Sequence, residues 1–599
     1  MEFEEGRKRV IIENVQPEIG LGHFPIKRVI GEKIIVEADI FGDGHDALSC
    51  LLLYRHERVA DWAEVPLKPT VNDRWQGEFK VSELGHYRYT VTGWVDHFKT
   101  WRRDLEKKIE AGQDVTIDLQ IGARLVKEAS ERAAGSDAEK LRDYASALTE
   151  PGVYAVEQRA LDPELAHLVA HYPDRRLGCF YGKELLVVVD RVRARFGSWY
   201  ELFPRSCASQ PGQHGTLSDC EQRLSYVASM GFDVLYLPPI HPIGQTFRKG
   251  KNNTPATSPE DPGSPWAIGS KEGGHKSVHP QLGALEDFQR LVSKANEYGL
   301  EVAMDLAYQC TPDHPYVKAH PEWFRQRPDG SIPYAENPPK KYQDIYPLDF
   351  ESPNWKELWE ELRSVVVFWI DQGVRIFRVD NPHTKPFPFW EWMIKDIKAK
   401  YPDVIFLAEA FTRPKVMYRL AKLGFTQSYS YFAWRNTKWE LTEYFTELTR
   451  SEVRQFFRPN LWPNTPDILT EYLQIGGRPA FMTRLALAAT LGASYGIYGP
   501  AFELCENRPL IRGKEEYLDS EKYEIRHWDL SRPDSLKDLI ARINAIRRGN
   551  PALHSNDSLS FLAVDNEQLI AYATARPCEG GTGKAAAKVV CSGHRGHSA

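Results

Sequence analysis

From residue 195 to residue 552 the sequence alternates short apolar runs with longer helical stretches, and this limits the fold more than any other feature. The runs occupy 199–203, 232–237, 301–306, 374–379 and 404–407, with weaker ones at 428–432 and 493–498. Helical stretches at 287–298, 355–371 and 389–400 lie between them. Strands that read as continuous apolar runs, each followed by a helix, belong to a parallel sheet covered on both faces. About eight such units predict a (β/α)8 TIM barrel. A doubly wound sheet is the competing arrangement, but no G-x-G-x-x-G follows any run. Residues 310–349, rich in Pro and charge, interrupt the alternation and read as an excursion after the third strand.

The flanks have other textures. Residues 1–103 carry short period-two runs, such as Tyr87, Tyr89 and Val91 alternating with Arg88, Thr90 and Thr92. Ile34-Ile35-Val36 and Leu51-Leu52-Leu53-Tyr54 are similar, which predicts a small β-sandwich. Residues 104–183 turn helical, with Leu125, Ala129 and Ala133 recurring every fourth position, and 184–194 return to strand. A sandwich interrupted by a helical insertion accounts for this order. Past a last barrel helix at 535–548, residues 553–599 begin a β-domain with one hairpin, 559–563 and 568–572. The remainder, 576–599, is Gly, Ala, Ser, His and Arg with little periodicity, so a mobile, protease-sensitive tail is expected. A frame shift or a truncated gene would produce such an ending. The whole is a multidomain α/β chain.

Composition removes several classes of function. The 76 Lys and Arg against 82 Asp and Glu leave a net charge of −6, which argues against a nucleic-acid binder. No apolar run approaches the roughly 18 residues of a membrane helix. The start, Met1-Glu2-Phe3-Glu4-Glu5, has no signal character, so a cytoplasmic location is expected. Eight scattered cysteines form no CxxC pair and no metal-ligand spacing, consistent with reduced thiols and no metal. Aromatic residues at 12% suit sugar rings, although taken alone a large core explains them better.

Barrel active sites lie at the carboxyl ends of the strands. Those ends supply Asp305, Arg378 with Asp380, and Glu409, with Asp467 further on. One carboxylate there is more often a cap for the next helix. Several from one barrel, with an Arg two residues before one of them, point to catalysis. Phe377-Arg378-Val379-Asp380-Asn381 and Leu407-Ala408-Glu409-Ala410 resemble the fourth- and fifth-strand motifs of the α-amylase superfamily, glycoside hydrolase family 13. The resemblance implies that Asp380 is the nucleophile, Glu409 the general acid/base and Asp467 the transition-state stabiliser, with Arg378 supporting Asp380. Glu409 then needs an environment that raises its pKa. Two carboxyls so placed give retention of anomeric configuration.

Departures from amylases narrow the resemblance. The third strand carries Asp305-Leu306-Ala307-Tyr308-Gln309-Cys310 without the usual Asn-His, and Asn464-Thr465-Pro466-Asp467 stands where amylases carry His-Asp. With the runs 247–254 and 337–347 and the pair Lys522-Tyr523, these are similar to one subfamily, the α-1,4-glucan:maltose-1-phosphate maltosyltransferases. The resemblance covers about residues 8 to 575. It implies an α-maltose 1-phosphate donor, an α-1,4-glucan or maltooligosaccharide acceptor, no cofactor, and a homodimer built through the helical insertion. It assigns donor contacts to Lys249, Gln309, Asp344, Asn381, Lys522 and Tyr523, and makes Asn337, Lys340 and Tyr342 candidates for the phosphate. The basic residues Arg248, Lys249 and Lys251, and Lys340 with Lys341, fit an anionic donor, though either cluster alone reads equally as a solvated loop. Two alternatives use the same residues. One is an α-glucan hydrolase or transglycosylase indifferent to phosphate; the other is a non-catalytic glucan-binding barrel, which has no chemical need for three intact carboxylates.

Overall fold

The computed structural model describes residues 5–150, 153–338, 340–575 and 587–593, with the side chains of 153–155, 337, 340 and 587–593 outside the description. The chain divides into two units, 1–189 and 190–599.

In the first unit two antiparallel sheets pack face to face. One runs in the order Val10–Gln16, Lys33–Gly42, Arg74–Lys80, Lys68–Pro69, and the other is centred on Gly85–Val95 between Leu185–Asp190 and Leu48–His56. Period-two patterning decides which face is buried: Ile34, Val36, Ala38 and Ile40 turn inward toward Leu52, Tyr89, Val91 and Val187. Five helices interrupt the sandwich, beginning at His97, seven residues earlier than the change of texture suggests. The Asp96 carboxylate caps the first of them by accepting from the Lys99 N–H at 2.9 Å. Trp101, Leu105, Leu119, Val126, Leu141 and Leu165 form the helical core. Gly122 lies so close to Trp101 that a Cβ there would sit 2.0 Å from the indole ring. Ala129 is buried in this core, with Leu125 and Ala133 packed against it. The apolar face expected to meet a partner is therefore spent inside the insertion.

In the second unit eight parallel strands close a barrel: Gly197–Glu201, Val234–Leu237, Glu301–Leu306, Ile376–Asp380, Ile405–Glu409, Gln427–Tyr429, Pro459–Leu461 and Ser494–Tyr498. The seventh was not visible as an apolar run, because Pro-Asn-Leu is too short and too polar to make one. Its Trp462 plugs the barrel, stacking on Tyr429 at 5.1 Å and meeting Trp199 and Tyr236 edge-on at 6.4 and 6.2 Å. Asp190, ahead of the first strand, is buried between Lys398 and Arg458. Within the 310–349 excursion, Gln309–Cys310 pairs with Tyr346–Pro347, and Ala335–Asn337 with Lys340–Tyr342.

The end of the chain departs from the sequence reading. Ser560–Leu562 and Leu569–Ala575 pair as a hairpin, and a third strand, Ala587–Gly593, adds to it over seven residue pairs. A strand within 576–599 contradicts a wholly mobile tail. The backbone ladder supplies the hydrogen bonds, so the third strand needed no strong apolar signal of its own. Residues 576–586 and 594–599, also assigned to that tail, lie outside the described residues. No helix among the described residues is long and apolar enough to cross a membrane.

Candidate active site

One guanidinium organises the acids at the carboxyl end of the barrel. Arg378 Nη1 donates to Asp380 Oδ1 at 2.8 Å and to Asp305 Oδ2 at 2.9 Å, and Nη2 lies 3.4 Å from Glu409 Oε1. Its carbon sits 5.8 Å from the Tyr236 ring centroid and 5.7 Å from that of Tyr429, so the aromatic plug supports it from within the barrel. The Tyr236 hydroxyl donates to Asp305 Oδ2 at 2.6 Å. Parallel pairing sets Asp380 directly beside Glu409 and Asp305 beside Arg378. Asn381 follows in the left-handed region at φ 42°, a conformation asparagine tolerates better than most residues. Its N–H donates to Glu409 Oε2 at 3.1 Å, and its amide to Asp380 Oδ2 at 3.3 Å.

Burial governs the proton affinities. It pushes Glu409 up to about 7, against Arg378 and with the added repulsion of Asp380. Asp305 is likewise lifted by burial to about 7, again against Arg378 and with Asp380 adding. Glu201, ending the first strand, is raised well above the carboxylate range by burial, and its Oε2 has no hydrogen-bond partner among the described residues. Two residues before it Trp199 faces the plug, so alternation turns Glu201 into the barrel at the level of Arg378.

A second group closes the mouth. The Lys522 ammonium grips Asp467 through both carboxylate oxygens, at 2.7 and 2.9 Å, and stands 5.0 Å from the Trp266 ring centroid. Although burial favours the neutral amine, Asp467 pushes the Lys522 pKa up. Gln309 Nε2 donates to the Trp266 carbonyl at 3.0 Å. Lys249 is buried and donates to Gln343 Oε1. Asp344 is buried too, its pKa raised by burial against the pull of Lys249 and Lys522. Tyr523 is buried and Tyr342 half-buried, and both add to the field at Lys522. The side chains of Asn337 and Lys340 lie outside the described residues.

The basic run splits by role. Arg248 donates to the carbonyls of Ile243, Gly244 and Asp261, so it braces its own loop. Lys251 pairs with Glu524 at 3.3 Å and Lys341 is exposed, leaving Lys249 as the buried cation of the run. Sequence reasoning missed Glu201, Tyr236, Trp266 and Gln343. Glu201 stands in the middle of the run read at 199–203, and only the structure ends the strand there, so the signal that marked the other acids did not reach it; Trp266 and Gln343 sit in loops without such a signal.

Among the described residues His275, Cys310 and His314 bring possible metal-ligand atoms together in a buried cluster, a grouping that sequence spacing did not reveal. His314 Nδ1 accepts from the Tyr316 N–H at 3.0 Å, so its Nε2 donates to His275 Nδ1 at 3.1 Å, and His275 Nε2 donates to the Ala307 carbonyl at 2.9 Å. These bonds account for all four imidazole nitrogens without an ion.

Residues 8–191 match the family model described as α-1,4-glucan:maltose-1-phosphate maltosyltransferase, domain N/S, and 201–347 match that of the α-amylase catalytic domain. The chain is 54% identical over 96% of its length to the α-1,4-glucan:maltose-1-phosphate maltosyltransferase of Chlorobaculum tepidum, covering 86% of that protein. It is 52% identical over 96% of its length to the protein of the same name from Methylacidiphilum infernorum, covering 86% of it. A solved α-amylase from Lactobacillus plantarum superposes with a TM-score of 0.51 at 21% identity, covering 65% of this chain and 87% of that one, a likeness of fold.

Proposed function

The chain belongs to the α-1,4-glucan:maltose-1-phosphate maltosyltransferase family, and from that premise we propose how its residues move a maltosyl unit from α-maltose 1-phosphate to an α-1,4-glucan. Asp380 attacks the anomeric carbon, and the bond to the phosphate oxygen breaks as Glu409 shares its proton with the departing group. A maltosyl ester on Asp380 results. The 4-hydroxyl at the non-reducing end of the glucan then attacks the same carbon, Glu409 takes its proton, and the ester bond breaks. Two inversions leave the linkage α. Asp467 stabilises charge at the sugar in both steps. Lys249, Gln309, Asp344, Asn381, Lys522 and Tyr523 hold the donor, with Asn337, Lys340 and Tyr342 at its phosphate.

The observation that carries this reading is the pairing of Asp380 and Glu409 on neighbouring strands around one Arg. Adjacent strands lie about 4.8 Å apart, which suits the roughly 5–5.5 Å carboxyl separation of retaining enzymes. A carboxyl with its pKa near 7 also suits a residue that must serve as acid and then as base. The phosphate-independent hydrolase is not favoured, because the chain's relatives at about half identity are named maltosyltransferases.

Incubation with α-maltose 1-phosphate and a maltooligosaccharide should release phosphate and lengthen the acceptor by two glucose units. Asp380→Ala should abolish transfer, and Glu409→Ala should accumulate a maltosyl-enzyme visible as added mass at Asp380. A β-linked product, or turnover by Asp380→Ala, would sink the mechanism. Equal turnover of donors with and without phosphate would return the protein to the amylase-like alternative. For assembly, we propose a homodimer through the helical insertion. Ile117 and Ile121, 65% and 39% exposed and one turn apart on Thr116–Arg132, replace the buried Ala129 face as its contact.

A further inference from the structure

We propose that Lys385 is a further phosphate-binding residue, the cation that meets the donor's leaving group beside Glu409. This rests on the donor assignment above. Lys385 closes the tight turn that follows the fourth strand, where its N–H donates to the Pro382 carbonyl at 3.2 Å and the Thr384 N–H to the Asn381 carbonyl at 3.1 Å. The turn thereby carries three consecutive functions: Asp380, then Asn381 bridging Asp380 to Glu409, then the ammonium of Lys385.

The partners of that ammonium are neutral. It donates to Thr384 Oγ1 at 3.0 Å and reaches the Asn381 carbonyl at 3.5 Å, and no described carboxylate lies within ion-pair distance of it. Burial disfavours its charge, while Asp380, Glu409 and Asp305 draw it toward the protonated form. Half-buried, it keeps one N–H without a partner among the described residues, a donor open to an anion. Two described cations of the mouth are committed to carboxylates, Arg378 to three acids and Lys522 to both oxygens of Asp467, whereas Lys249, like Lys385, has a neutral partner in Gln343.

The donor supplies what is missing. Its α-phosphate is a dianion that departs from the face opposite Asp380, the side on which the acid Glu409 stands. Asn381 donates to Glu409 and accepts from Lys385, so the ammonium and the acid are tied to one residue. As the bond to phosphate breaks, negative charge grows on the bridging oxygen. An ammonium set against the outer phosphate oxygens holds the dianion as it departs, a contact that a donor without phosphate cannot make.

The experiment compares two donors, α-maltose 1-phosphate and α-maltosyl fluoride, which carries no phosphate. Lys385→Gln should lower kcat/KM for the phosphate donor about 10- to 100-fold, the scale of one charge-assisted hydrogen bond, and weaken inhibition by inorganic phosphate. Turnover of the fluoride should stay within about threefold of the unsubstituted enzyme. Lys385→Arg, which keeps the charge, should retain most of the preference for phosphate and serves if the Gln variant does not fold. Equal losses on both donors, or no loss on either, overturn the assignment. Failure of the unsubstituted enzyme to release phosphate from α-maltose 1-phosphate would instead defeat the donor assignment itself.

Discussion

Replacing Glu409 with Gln tests the electrostatics of the site with almost no change of shape. Burial lifts this carboxyl from its ordinary 4.5 to about 7, with Asp380 adding and Arg378 opposing. A carboxyl raised by folding binds its proton more tightly in the folded state. Its stabilising contribution is complete below pH 4.5 and is lost as the pH climbs through 7. At about 1.4 kcal/mol per pH unit, the folded protein loses about 3 kcal/mol of stability across that window. The Glu409 side chain is only 15% exposed, so solvent screens little of this. Glutamine cannot ionise and loses nothing over the same window. The stability of Glu409→Gln relative to the unsubstituted protein should therefore rise by about 3 kcal/mol between pH 4.5 and pH 8.5. Thermal melts of both proteins at several pH values read the difference directly. Parallel curves across the range would refute the reasoning, because they would show a carboxyl that titrates as it does in water.

Three further outcomes follow from particular contacts. Lys522→Ala removes both hydrogen bonds that hold Asp467 and should cut kcat about 10- to 100-fold, with the melting temperature nearly unchanged; phosphate release and a melt check the two halves. Asp190→Ala leaves Lys398 and Arg458 without their shared buried partner and should cost about 3–5 kcal/mol, read by chemical denaturation, whereas Asp534→Ala on the surface should leave the midpoint where it was. Ile117→Lys with Ile121→Lys should convert a sedimenting dimer to monomer without loss of helix; a dimer that survives both changes uses another surface.

The sequence revealed most where chemistry and periodicity coincide. Continuous apolar strands ending in Asp305, Asp380 and Glu409 announced the barrel and marked the end at which its acids gather, because a charge at the end of a buried strand is costly unless it is paired or used. Three features escaped for physical reasons. The strand Pro459–Leu461 is specified by its neighbours' backbones and by Trp462, not by its own apolarity. Ala587–Gly593 likewise joins its sheet through the backbone ladder. The face of Leu125, Ala129 and Ala133 was visible, but periodicity cannot tell whether a helix buries its apolar stripe within its own bundle or against another chain.

The division of labour among the acids follows from a shortage of positive charge. Arg378 is the one described cation that contacts Asp305, Asp380 and Glu409, and Glu201 ends the first strand without an ion pair among the described residues. One buried guanidinium cannot compensate four buried carboxylates, so protonation must make up the difference. The structure shows where: Glu201, Asp305 and Glu409 are all driven upward by burial. Asp380 has the shortest contact with Arg378, at 2.8 Å, and an amide from Asn381, whereas Glu409 has the longest, at 3.4 Å. Asp380, the proposed nucleophile, thus has the closest contact with the guanidinium. Glu409, the proposed acid/base, has the most distant, and its raised pKa suits the two proton transfers proposed for it, to the departing phosphate and from the acceptor hydroxyl.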